Sequence, residues 1–298
     1  MFEYAKCNLC RSDDYVVLYP CSITDEPLRP EEITVAYDRK EYCRIVRCKK
    51  CGLVYANPRD SLEGLRDAYR RLGEEEYLEE SESRSITFSK DLHFIERYCK
   101  GGNLLDVGCS VGLFLRLAKE NHWNTYGVEI SEINSRYARD ILGLDVTTGT
   151  IHDANYGDDF FDVITLWDVI EHVPDPMSVL MKLNRIQKPG GYLFLSTPDV
   201  GSFLSRILGS RWMWLIRTHI FYFSRKTIRQ MLEKAGYQVV YISSYSRIFR
   251  FEYIVDRIKP HSARLHSVMS FLMDLFRVGG FRLRVNFLDF MAVVAQKI

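Results

Sequence analysis

One stretch limits the possible folds more than any other: Leu104-Leu-Asp106-Val-Gly108-Cys109-Ser110-Val-Gly112-Leu-Phe-Leu115. An apolar strand runs into an acid, then a glycine-punctuated turn, then an amphipathic helix. Gly108 lets the backbone turn sharply, and Gly112 is expected to let a bulky ligand lie close to the first helical turn. The free N–H groups of that turn favour an anionic group. A glycine loop alone could serve a dinucleotide. Asp106 argues otherwise, because its charge suits a ligand with an ammonium group and repels a pyrophosphate. About twenty residues on, Tyr126-Gly-Val-Glu129-Ile130 ends a second strand in an acid that can accept both hydroxyls of a ribose, with Ile130 as an apolar wall for a purine. Taken alone, Glu129 could equally cap the helix starting near Ser131.

The same alternation continues through residue 200. Strands are expected at Leu104–Val107, Thr125–Ile130, Phe161–Trp167 and Tyr192–Ser196, and helices at Leu113–Glu120, Glu132–Leu142 and Pro176–Gln187. This is the pattern of parallel strands with helical crossovers, an α/β doubly wound sheet whose ligands bind beyond the strand carboxyl ends.

The N-terminus follows a different logic. Cys7-Asn-Leu-Cys10 and Cys48-Lys-Lys-Cys51 form two C-x2-C knuckles whose thiolates can converge on a tetrahedral ion, and Gly52 suits the second turn. The 37 residues between the knuckles must form an inserted hairpin or loop. Cys21 and Cys43 lack ligand spacing. Four thiolates leave no open position, so a structural zinc is expected. Residues 1–58 then read as a zinc-ribbon-like module and 59–100, with Glu74-Glu75-Glu76, as a helical linker, ahead of a main domain over 101–298. Neither an export signal nor an 18-residue apolar run is evident, so the expectation is a cytoplasmic protein without a transmembrane helix.

From residue 103 the chain resembles the class I S-adenosylmethionine-dependent methyltransferases. The resemblance implies a seven-stranded Rossmann-like sheet. It places Gly108, Cys109 and Gly112 under the methionine moiety and Glu129 on the ribose. Thr150 and Ile151 fall at the adenine edge, and Trp167 and Asp168 border the sulfonium and the acceptor. Ser110 stands where a third loop glycine is common, which leaves local loop geometry open. The Glu171-His172 pair resembles that of small-molecule methyltransferases; His172 could instead pack against the sheet end. The zinc module and Thr218-His219-Ile-Phe-Tyr-Phe-Ser224 resemble bacterial sugar methyltransferases of surface-polysaccharide pathways, although Thr218 departs from their pattern. Those that methylate carbon carry a long further domain, so O-methylation is expected here.

Methyl transfer needs alignment and a base near the acceptor hydroxyl. Histidine titrates near neutrality, which makes His219 the first candidate and His172 the second. The insertion at about 201–223 reads as a substrate lid. Residues 203–298 carry 16 basic and 5 acidic side chains, against 7 and 14 in 101–200. That excess suggests an anionic partner, or else solvated helix faces. With Arg206, Arg211 and Arg217, and with Trp212, Trp214, Phe249 and Phe251, it fits a phosphate-bearing glycan precursor, nucleotide- or lipid-linked. Two alternatives stand beside it: a phenol- or quinone-like small-molecule acceptor, and peripheral membrane contact through the insertion. Nucleic acid is disfavoured, since residues 1–59 are nearly neutral, with 10 basic and 9 acidic side chains.

Overall fold

The computed structural model describes residues 2–23, 41–70, 81–256, 262–276 and 278–298. The N-terminal part contributes β1 (Phe2–Glu3), β2 (Tyr15–Tyr19), β3 (Ile45–Cys48), β4 (Val54–Ala56) and β5 (Arg59–Asp60). Helices α1 (Leu62–Arg70) and α2 (Ser81–Ile95) follow. Part of the segment between the cysteine knuckles, and the run Glu74–Glu76, lie outside the described residues.

The main domain then alternates β6 (Asn103–Val107), α3 (Leu113–Glu120), β7 (Asn124–Glu129), α4 (Glu132–Asp140), β8 (Asp145–Thr148), β9 (Phe161–Trp167), α5 (Pro176–Ile186) and β10 (Gln187–Pro198). These five strands are parallel. Their apolar side chains bury against helices on the faces, as near-continuous apolar runs demand. Local chemistry sets the helix starts. Ser131 accepts from Asn134 N at 3.1 Å to open α4, and Asp175 accepts from Ser178 N at 3.0 Å ahead of Pro176 to open α5.

After α6 (Phe203–Leu208) come β11 (Phe221–Tyr222), α7 (Arg225–Lys234), β12 (Tyr237–Ser244), β13 (Arg247–Arg250), α8 (Phe251–Asp256), α9 (Ala263–Phe276), β14 (Arg282–Val285) and β15 (Phe290–Lys297). The central sheet runs β12-β15-β10-β9-β6-β7-β8, with β15 antiparallel to both neighbours. The order reverses around β6, which puts the ligand-binding crevice beyond its carboxyl end. No helix of the described residues is long and apolar enough to cross a membrane.

The N-terminal strands are woven into the main domain. β11 pairs with β4, extending the β4-β3-β2 sheet to four strands. Asn8 Nδ2 donates to Asp175 Oδ1 at 2.8 Å, and Asn8 Oδ1 accepts from Met177 N at 2.9 Å. The insertion after β10 is held down by side chains that the sequence offers to a substrate. Arg217 is buried and donates to both oxygens of buried Asp60 at 2.8 Å each, so it is not free to meet an acceptor phosphate. Trp212 and Trp214 both donate Nε1–H to Asp289 Oδ2, at 2.9 and 3.0 Å. Arg206 and Arg211 remain exposed.

Removing one member of a buried ion pair leaves an uncompensated charge, which costs about 3–5 kcal/mol, whereas an apolar replacement of both is near neutral. Arg217→Met should therefore destabilise the chain by that amount in urea unfolding, and the further change Asp60→Leu should recover most of it. Equal losses in the single and double variants would show that the pair does not hold the insertion.

Candidate functional site

The cofactor end is built where β6 and β7 stop. Gly108, Ser110 and Gly112 all take left-handed backbone, with φ of 74°, 50° and 84°. Gly108 N donates to Val128 O at 2.7 Å. The room these glycines provide is taken by protein. A Cβ on Gly108 would lie 2.6 Å from Val169 Cγ2, and one on Gly112 would lie 2.5 Å from Leu144 Cδ1. On its Cβ side Gly112 thus permits close packing of the loop on Leu144 and Ala138. Cys109 is buried in the core, so it can offer a ligand only its main chain.

Glu129 ties the loops together. Its Oε2 accepts from Ser110 N at 2.8 Å and its Oε1 from Ser131 N at 2.7 Å. Burial raises its pKa, against the pull of those N–H groups. Asp106 is also buried, and its Oδ1 accepts from the Thr165 hydroxyl at 2.6 Å. Burial, with Glu129 adding to it, pushes Asp106 up to about 7. These two carboxylates have only neutral hydrogen-bond partners in the bonds just named, so a cationic ligand would relieve both. Two more groups nearby are left unmatched: Ser110 Oγ and Trp167 Nε1 are buried without a hydrogen-bond partner.

Beyond β7 and β8, Thr150 donates to Asp153 Oδ2 from both N (2.8 Å) and Oγ1 (2.7 Å), and Ile130 is half-buried. Ile151 is packed in the core, so its side chain does not present an open wall. Trp167 lies against Tyr245, rings 6.2 Å apart and 10° from parallel. Asp168 follows with φ of 60°. Its Oδ1 accepts from Ser196 Oγ and its Oδ2 pairs with Arg247 Nη2, each at 2.5 Å.

Beyond β9, Glu171, His172 and His219 gather in one cluster. Glu171 is buried; its Oε2 accepts from Thr197 Oγ1 at 3.0 Å, while Oε1 is buried without a partner. Burial, then Asp168, push its pKa up to about 8. The two imidazoles meet edge to face, 4.6 Å between centroids. His172 Nδ1–H donates to Thr218 O at 2.9 Å, with the Tyr69 hydroxyl 2.8 Å from the same nitrogen. His219 Nδ1–H donates to Trp214 O at 2.9 Å, and Trp214 stacks on its ring. Neither histidine titrates near neutrality as the sequence suggests. His172 is half-buried by area, yet the protein around its ring pushes it down to about 4, and burial drives His219 well below its ordinary value. Both rings are neutral at pH 7.

Sequence reasoning did not find Thr165, Ser196, Thr197, Arg247, Tyr69 or Tyr245. None stands in a motif; Tyr245 comes from the connection between β12 and β13, and the others from strands or, for Tyr69, from α1. The only signal available was their position: Thr165, Ser196 and Thr197 lie at the carboxyl ends of β9 and β10.

The four knuckle cysteines converge. Cys7 and Cys51 Sγ are 3.4 Å apart, as are Cys10 and Cys48, and all four lie within 4.8 Å of one another. Around a tetrahedral zinc with Zn–S of about 2.3 Å, sulfurs sit about 3.8 Å apart, so the donor set and its spacing fit. Each knuckle closes on a left-handed residue, Arg11 (φ 61°) and Gly52 (φ 82°), whose N–H returns to the first cysteine's carbonyl. Cys21 and Cys43 lie outside the cluster.

A sheet of this order with acid-tipped first and second strands defines a class I S-adenosylmethionine-dependent methyltransferase domain. Residues 66–242, more than half of the chain, match the family described as Methyltransferase domain, and the chain belongs to that family. A ubiquinone biosynthesis O-methyltransferase of Hahella chejuensis is 33% identical over 121 residues, 38% of this chain and 51% of that protein. Its counterpart in Vibrio atlanticus is 36% identical over 118 residues, 37% of this chain and 50% of that protein. The chain thus spans about half the length of the curated relatives it matches. The crystal structure of a SAM-dependent methyltransferase from Archaeoglobus fulgidus shares the fold, with a TM-score of 0.51 at 20% identity, over 75% of this chain and all of that one.

Because Gly112 is needed for packing, Gly112→Ala should lower stability by about 1–3 kcal/mol through strain and overpacking. Trimming Leu144 to alanine in the same chain should return part of that loss. Thermal unfolding measures both. A stable Gly112→Ala protein that fails only in cofactor binding would restore the ligand-approach reading.

Proposed function

We propose that this chain transfers the methyl group of S-adenosylmethionine to a hydroxyl oxygen of a small phenol- or quinol-like acceptor. The observations that carry this reading are two buried carboxylates, Asp106 and Glu129, near the ends of β6 and β7, and a separate cluster of Glu171 with two neutral imidazoles. Asp106 would meet the ammonium group. Glu129 would take the ribose hydroxyls on the lone pairs that Ser110 and Ser131 leave. The main chain at Gly108, Cys109 and Gly112 would border the methionine moiety, and Ile130, Thr150 and Ile151 the adenine. Trp167 and Asp168 would flank the sulfonium, with His219 and His172 at the accepting oxygen. The curated relatives are named as O-methyltransferases, which supports oxygen as the accepting atom.

Against the glycan-phosphate reading, Arg217 is bound to Asp60 and both insertion tryptophans to Asp289, although Arg206 and Arg211 stay exposed. Exposed Phe203, Ile207 and Met213 support peripheral membrane contact for the insertion. The four-cysteine cluster would hold a structural zinc, and free thiols suit a reducing cytoplasm.

Calorimetry should find one S-adenosylhomocysteine site per chain, weakened by about 2–4 kcal/mol in Glu129→Ala, which loses charge-assisted hydrogen bonds. Free Asp106 holds its proton up to about pH 7 and must release it to meet an ammonium. Affinity should therefore rise with pH through that value, and Asp106→Asn should flatten the rise. A wild-type chain that binds no S-adenosylhomocysteine would overturn the cofactor assignment.

The acceptor class is tested by incubating the enzyme and S-adenosylmethionine with catechols, hydroquinones and nucleotide sugars, following S-adenosylhomocysteine formation. Turnover is expected on the hydroxylated aromatics. Turnover confined to nucleotide sugars would reverse the choice.

Elemental analysis should give about one zinc per chain at the cysteines, lost in Cys48→Ser/Cys51→Ser. Since β3 and β4 carry the pairing to β11, that variant should lose turnover more than S-adenosylhomocysteine affinity. Full zinc occupancy in it would place the ligands elsewhere.

A further inference from the structure

Helix α9 is apolar on both of its sides. Its inner side faces the chain: Met273 is buried, Met269 and Ser270 are half-buried, and His266 Nε2 lies 3.2 Å from Asp256 Oδ1 of α8. The opposite side carries Leu265, Val268, Phe271, Leu272, Leu275 and Phe276, each between 43% and 67% exposed. Arg264 is the one exposed charged side chain of the helix among the described residues. A helix that is apolar all round is ordinarily covered on every side. At about 150–250 Å² for a whole aromatic side chain, the two phenylalanines expose roughly 100–170 Å² each. With the four aliphatic side chains the face matches the largest apolar patches of monomeric proteins, which commonly mark interaction sites. Phe281, also exposed, continues it past the tight turn in which Val278 N donates to Met273 O at 3.1 Å.

The spacing of this face says what covers it. Leu265, Val268, Leu272 and Leu275 follow one another at intervals of three, four and three, the a/d seam by which one helix packs along another. Read from either end, the intervals are the same. Laid antiparallel on a second copy of itself, α9 therefore sets Leu265 against the partner's Leu275 and Val268 against the partner's Leu272. Arg264 then comes level with the partner's Phe276, and an aromatic ring face attracts a cation. Each contact occurs twice, as a two-fold interface between identical chains requires. A lipid surface fits less well. Helices that lie on membranes set a strongly charged face, rich in Lys and Arg, against their apolar one, whereas the inner side of α9 holds Met269 and Met273.

We propose that α9 is the interface of a two-fold dimer of this chain, its Leu265, Val268, Leu272 and Leu275 seam packed antiparallel on the same seam of a second copy. The unit that pairs is tied to the candidate site. Helix α8 continues β13 directly, Phe251 N donates to Phe281 O at 2.7 Å, and Arg247 of β13 pairs with Asp168. Dimer formation thus braces the β13–β14 hairpin on which Arg247 stands.

The test is the mass of the purified chain by sedimentation equilibrium, from micromolar concentrations upward. The expected result is a rise from 34.9 kDa toward twice that mass. Two variants set like charges opposite one another in the seam, Leu265→Glu/Leu275→Glu and Leu265→Lys/Leu275→Lys. Each alone should associate about a hundredfold more weakly, and mixing the two should restore a two-chain species. Recovery on mixing also shows that both variants are folded. A wild-type chain that stays at 34.9 kDa throughout, a dimer that both variants leave intact, or a mixture that remains single-chain would overturn the proposal. So would a single chain that floats with phosphatidylglycerol vesicles unless Leu265 and Leu275 are replaced by glutamate, which would assign the face to a lipid surface.

Discussion

The main chain of Ile220 and Phe221 is the joint on which the Glu171, His172 and His219 cluster depends. On one side their two N–H groups converge on the carbonyl of Glu171; on the other, Ile220 O accepts from Ala56 N and Phe221 pairs with Tyr55. Three segments remote in sequence are thereby locked through backbone groups, which cannot be lost by side-chain rotation. Each bond contributes only about 0.5–1.5 kcal/mol net. Their importance is geometric, because they fix where Glu171, His172 and His219 stand relative to one another. The N-terminal strands are therefore part of the site's frame. The Arg217–Asp60 pair repeats the connection with side chains, and Asn8 repeats it again at α5.

The site has two electrostatic ends. At the cofactor end, burial raises the pKa of Asp106 and Glu129, and a cationic ligand would favour their charged forms. At the acceptor end the imidazoles are neutral and the carboxyl of Glu171 is pushed up to about 8. Desolvation is the first cause in every one of these shifts. Burial near the ends of β6, β9 and β10 thus does two opposite things with one mechanism: it raises the acids and lowers the bases.

Much of this was legible beforehand. The alternation of apolar strands with capped helices gave the sheet, and Phe161–Trp167 and Leu113–Glu120 match the observed elements end to end. The paired cysteines converge as their spacing implies, because two C-x2-C turns leave few other solutions. What the sequence does not show has a common cause. Leu144 packs against Gly112 and the core encloses Ile151, contacts with no local signal. Arg217 and the insertion tryptophans were read as free, although Asp60 and Asp289 claim them. Partners so distant in sequence leave no local pattern, and the same holds for Arg247 on Asp168 and Tyr69 on His172. The pKa of a histidine is likewise invisible until its burial is known.

The central claim is that the methyl group passes to oxygen. It is tested most directly by running the reaction with S-adenosylmethionine carrying a ¹³C-labelled methyl group and recording the carbon NMR spectrum of the acceptor product. The account predicts a single new resonance in the range of methoxy carbons, growing in step with S-adenosylhomocysteine. A resonance in the range of carbon- or nitrogen-bound methyl groups would contradict it.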